Sequence, residues 1–170
     1  MSMIGRYLRL SAAELERAAL EPEWALAFVE RLDDESAEAD GGRARGGWAR
    51  LHGTGKAWQA LDFLLRRREF PVDLVHGEEE LPGAEDWGYG PPCRIAPDRV
   101  RLAVAALAAL DPGRLTEGVA PADLAEARVY PQSLWEAEDS LHLVTAEYHA
   151  LSDFLRAVAT RRHGVLVWIE

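Results

Sequence analysis

At 170 residues, 48% hydrophobic and 28% charged, the chain has the size and composition of one globular domain. With no run of about 18 apolar residues, it is read as neither disordered nor membrane-spanning. A single cysteine, Cys93, excludes an internal disulfide, and Met1 to Leu10 lacks an apolar stretch followed by small residues, so no secretory signal is read and the expected location is the cytoplasm. A net charge of −10 argues against nucleic acid as a partner, because phosphate affinity comes from basic side chains that release counterions.

The charge falls in blocks. Residues 11–40 carry −8, residues 41–70 carry +5, and residues 71–90 hold six acids with no Lys or Arg. Such an acidic surface either steers a basic protein partner or serves solubility alone. Of the 19 basic residues 18 are Arg, Lys56 is the only Lys and Asn is absent, a bias of the kind a GC-rich bacterial genome produces. A Lys kept against that bias is either chance or a place where a compact ammonium on a flexible stem fits and a planar guanidinium does not.

Residues 4–10 are short and rich in β-formers, and they predict a strand that stops at Ser11-Ala-Ala-Glu14, a capping box opening a helix to about Leu20. Pro22 opens a second helix with Trp24, Phe28 and Leu32 on one side, and Glu35 to Gly47 loses periodicity and is expected to be a mobile loop. Thr54 is read as the N-cap of a helix from Lys56 to Arg67 whose stripe is Trp58, Leu61 and Leu65. The Arg66-Arg67-Arg68 run suits the negative end of that helix dipole better than it suits a phosphate. Val72 to Val75 is expected to be a short strand, Gly77 to Gly90 a loop, and Cys93 to Ile95 another strand after Pro91-Pro92.

Pro97 opens a helix to Leu110; Asp111-Pro112 caps a short turn through Leu115, and Pro121 to Ala127 forms another, broken by Tyr130-Pro131. Leu141, Val144, Tyr148, Leu151, Leu155 and Val158 alternate steps of three and four along a final helix, with Gly164 as its expected left-handed cap. Val165 to Ile169 is apolar at every position, which calls for cover on both faces and hence a place in mid-sheet. The pattern predicts an α+β fold: one mainly helical domain over residues 1–170, with a small sheet that includes the N- and C-terminal strands as neighbours.

Motifs for chemistry are sparse. Gly53-Thr54-Gly55-Lys56 fails as a phosphate loop, since Arg50 stands where the motif begins with Gly and Ala57 where it ends with Ser or Thr. His142 and His149 lie seven apart rather than four, His149 is expected to bond Asp153, and one cysteine supplies no pair, so neither a metal site nor a cofactor is expected. No Gly-x-Ser-x-Gly elbow exists to place a nucleophilic serine. What remains is a set of loop aromatics, Trp48, His52, Trp58, Trp87, Tyr89 and Trp135, with Lys56 among them in sequence. They are read either as the wall of a groove for a small anionic ligand or peptide, or as packing beneath the loops.

Met3-Ile4-Gly5 leading into a strand, Lys56-Ala57-Trp58 with Leu61, Leu64 and Leu65, Tyr89-Gly90-Pro91-Pro92 before Pro97, Tyr130-Pro131 with Trp135, and a terminal Val167-Trp168-Ile169 together resemble the YfbM-like family of uncharacterised bacterial proteins. The resemblance spans nearly the whole chain and implies a small cytoplasmic protein, with no catalytic residue to carry over. Two readings of function follow. In one, the chain is a binding or interaction module that uses its acidic surface and an aromatic cleft, masking a basic partner as immunity-type proteins do. In the other, it is an enzyme or sensor for a small anionic molecule, with Lys56 as charge donor, Trp58, Tyr89 and Trp135 as walls, and His52 or an acid beside it.

Overall fold

The computed structural model describes residues 2–38 and 49–170. Trp48 and most of the stretch expected to be a mobile loop lie outside the described residues. The elements run β1 (Gly5–Leu10), α1 (Ala12–Leu20), α2 (Pro22–Glu38), β2 (Leu51–Gly55), α3 (Trp58–Arg67), β3 (Glu79–Glu80) and β4 (Cys93–Ile95). They continue with α4 (Pro97–Ala109), α5 (Pro112–Thr116), α6 (Pro121–Glu126), a 3-10 turn over Gln132–Glu136, α7 (Leu141–Thr160) and β5 (Gly164–Ile169). The sheet is antiparallel at each pairing, in the order β2-β1-β5-β4-β3. The first and last long strands are therefore neighbours at its centre, paired from Gly5 opposite Ile169 to Leu10 opposite Gly164. Ile4 and Glu170 exchange two further backbone bonds beyond that ladder.

Alternation along these two strands builds two cores, one on each face. Tyr7, Val165 and Val167 face the larger core, with α3, α4 and α7 over them, while Leu8, Leu10, Leu166 and Trp168 face a smaller one covered by α1, α2 and the loop around Trp87. The predicted α7 stripe is in place: Val144, Tyr148, Leu151, Leu155 and Val158 are buried in the larger core and Leu141 packs at its edge. Ser11 forms the expected capping box, its hydroxyl accepting from the Glu14 N–H while the Glu14 carboxylate accepts from the Ser11 N–H.

Five local expectations are corrected. Thr54 is not a helix cap: Leu51–Gly55 is a strand on the edge of β1, and the buried Thr54 hydroxyl donates to the Gly5 carbonyl at 3.5 Å. The following helix starts at Trp58, two residues after Lys56, with Ala57 as an N-cap that makes no side-chain bond. Residues 72–75 are turns rather than a strand, and α2 runs on to Glu38. Finally, Gly164 is the first residue of β5. The left-handed position after α7 falls on Arg162 (φ 56°), and what demands glycine at 164 is space, since a Cβ would lie 2.6 Å from the Ile95 carbonyl oxygen. Two members of the arginine run tie α3 to the α5–α6 connection: Arg67 donates to the Gly118 carbonyl and Arg68 to that of Glu117.

Candidate functional site

A polar cluster forms where α3 leads into the turns that follow it. Trp58, Asp62 and Arg66 recur at four-residue steps along one side of α3, at the margin of its buried stripe. The chain then turns at Pro71. The Asp73 Oδ1 accepts from the N–H groups of Val75 and His76 at 3.2 and 2.9 Å, and Gly77 (φ 77°) ends the turn in a conformation that favours glycine. This geometry brings the His76 Nδ1 to 3.5 Å from Asp73 and 3.6 Å from Asp62, while the Arg66 guanidinium reaches Asp62 at 2.6 Å and Asp73 at 3.4 Å. A hollow of about 160 Å³ opens there, lined by both aspartates, Arg66, Leu65 and Phe70.

The electrostatics follow from these contacts. Burial alone would raise the Asp73 carboxyl, but hydrogen bonds from the His76 side chain and backbone outweigh it and hold the group below the usual carboxylate range. His76 is raised above the ordinary imidazole value, chiefly by that same bond to Asp73. Behind the cluster the Tyr7 phenol is fully buried and pushed up, first by desolvation and then by the charge of Asp73. Trp58 stands perpendicular to His76 at 6.2 Å between ring centroids. It is 7% exposed, and its buried indole N–H has no acceptor among the described residues.

A second concavity, of about 280 Å³, lies on the other side of the sheet between the start of α2 and the loop before β4. Its lining is Pro22, Glu23, Leu26, Gly83, Glu85 and Trp87, with no basic residue. Backbone bonds from Leu81 to Pro92, Ala84 to Leu81 and Trp87 to Gly90 hold the loop wall in shape, and Trp87 meets Trp168 edge-on at 5.2 Å. Leu26 is 38% exposed, and Leu20, just before α2, is 83% exposed.

The family model described as "Domain of unknown function (DUF1877)" matches residues 1–168. The chain belongs to the DUF1877 family. A search of curated proteins gives no match. Among solved structures, this DUF1877 chain is similar to the crystal structure of YfbM, a protein of unknown function from Escherichia coli, with a TM-score of 0.60 and 17% identity over 98% of this chain and 99% of that one. At that identity the likeness concerns the fold, and it agrees with the YfbM-like resemblance of the sequence motifs.

The DUF1877 fold does not gather the aromatic set into one cleft. Trp58 and Trp135 belong to the larger core, and the Trp135 indole donates to the Val129 carbonyl at 2.8 Å. His52, on β2, faces the same side, stacked on Phe154 at 5.0 Å; burial pushes its pKa down to about 4. Trp87 lies across the sheet in the smaller core, and Tyr89 is 54% exposed. Lys56 is exposed, precedes α3 rather than starting it, and has no hydrogen bond or ion pair among the described residues. His149 is 3.8 Å from Asp153, beyond hydrogen-bond length, and Asp153 instead pairs with Arg156 at 2.8 Å. The cluster of Asp62, Asp73 and His76 escaped the sequence reading because 72–75 passed for a strand. The turn residues Pro71, Asp73 and Gly77 were the available signal.

Proposed function

We propose that this protein is a binding module whose docking surface is the acidic hollow beside α2 and whose partner is a basic protein segment carrying apolar side chains. The observation that carries the reading is the exposure of Leu26 in the lining of a concavity walled by Glu23, Glu85 and Trp87, with Leu20 exposed two residues before Pro22 of the same lining. Burying a leucine removes apolar surface worth about 1.5–3 kcal/mol from water, and the carboxylates select positive charge around it. Trp87, braced against Trp168, supplies a flat apolar wall that does not have to be ordered on binding.

The test is fluorescence anisotropy with a labelled peptide of alternating Lys, Arg and Leu, beside an Asp/Glu peptide with the same Leu spacing. The expected result is binding to the basic peptide that weakens as salt is raised, and that falls about tenfold or more in Leu26→Glu and in Glu85→Arg. Lys56→Met is expected to leave binding unchanged. Equal binding of the two peptides, or basic-peptide binding indifferent to both hollow variants, would overturn the proposal.

A further inference from the structure

Asp62, Asp73 and His76 come from two separate stretches of chain, yet their ligating atoms all lie within 4.8 Å of one another. The two distances from the His76 Nδ1, 3.5 and 3.6 Å, are close to the roughly 3.3–3.5 Å that separates neighbouring ligands around a tetrahedral ion bound at about 2.0–2.1 Å. A set of one imidazole and two carboxylates suits zinc and its neighbours in the transition series, whereas calcium and magnesium take oxygen throughout. The place of a cation is now held by Arg66, whose side chain is 65% exposed and so can leave toward solvent.

A second observation is independent of the carboxylates. The Trp58 ring, edge-on to His76, carries a buried indole N–H that no group among the described residues accepts, and a buried donor without a partner is costly. Close packing places that ring: a Cβ on Gly5 would lie 3.0 Å from the Trp58 Cβ, so glycine at position 5 lets the helix start approach the sheet. Three ligands leave a fourth position open for a water or an anion.

We infer that Asp62, Asp73 and His76 form a divalent-cation site of the zinc class, three protein ligands with one open position, in which Arg66 occupies the metal-free state. The ion takes over the charge that Arg66 supplies to the two aspartates, and His76 binds it as the neutral imidazole with loss of its proton. The site is separate from the hollow beside α2 and stands or falls independently of it.

The experiment is titration of the full chain, freed of metal, with Zn²⁺ followed by calorimetry, and with Co²⁺ followed by visible absorption. One equivalent of Zn²⁺ is expected to bind and to raise the melting temperature, with a four-coordinate Co²⁺ spectrum. His76→Gln and Asp73→Asn are expected to lose both. His76 is exposed, and Asn keeps the oxygen that accepts the turn's N–H bonds, so both variants fold. Arg66→Gln is expected to bind Zn²⁺ about tenfold or more tightly, because the competing cation is gone. Absence of stoichiometric binding in both the native chain and Arg66→Gln would overturn the inference. So would binding unchanged in His76→Gln, which would place the ion on another histidine.

Discussion

On the α7 side of the sheet, Tyr7, Val165 and Val167 meet a continuous cover, and Leu61, Leu64, Leu151 and Leu155 are fully buried. On the α2 side the same strands present Leu8, Leu10 and Leu166, equally dry, but the cover of two helices and a loop ends at Leu20 and Leu26, which stand in solvent. One pair of strands serves both faces by alternation, so the difference comes from the helices laid on them. The fully buried leucines of the α7 side act in stability, whereas Leu20 and Leu26, like Leu102 on α4 and Leu143 on α7, keep apolar surface exposed.

Substitutions sharpen that contrast in order of expected cost. Leu151→Ala, at the centre of the α7 stripe, should lose about 2–5 kcal/mol in a denaturant melt, as deletion of a buried leucine leaves a cavity. A loss below about 0.5 kcal/mol would show that the larger core does not carry the fold.

Acid should attack the same face. His52 binds its proton at about 4 in the fold because burial disfavours the charged ring, while its ordinary value is 6.5. Between those values the unfolded chain holds the extra proton, so stability falls as pH drops from about 6.5 to 4, by on the order of 3 kcal/mol in total. His163, lowered by burial and by Arg9, adds in the same direction. His52→Phe keeps the ring against Phe154 and should flatten the pH slope of the melting curve. An unchanged slope would mean that His52 does not titrate in this window.

On the α2 side the effects are smaller. Ser11→Ala removes a cap from α1 and should cost about 1 kcal/mol by chemical denaturation. Leu20→Ser should change stability by less than about 0.5 kcal/mol, since the side chain is already exposed. A loss above 1 kcal/mol would assign Leu20 to the core and remove it from the docking surface.

What was legible in the sequence is what repeats locally. The stripe of α7 and the unbroken apolar run of β5 state their burial directly, and the Ser11 capping box is a four-residue signal. Leu51–Gly55 was not legible, because Leu-His-Gly-Thr-Gly has weak strand propensity and becomes a strand only by pairing with β1. Val72, Leu74 and Val75 are buried, so their apolarity passed for a strand although Asp73 turns the chain between them. The polar cluster was hidden for a related reason: Asp62 and His76 meet through the fold of the turn, and no spacing in the chain announces it.

The most direct measurement is an amide chemical-shift map of the labelled chain titrated with the Lys-Arg-Leu peptide. Shifts confined to residues 20–26 and 83–87, with Leu151, His52 and the 62–76 stretch undisturbed, are the expected result. Shifts centred on Lys56 or on the α7 face, with the hollow unchanged, would contradict the assignment of docking to the α2 side.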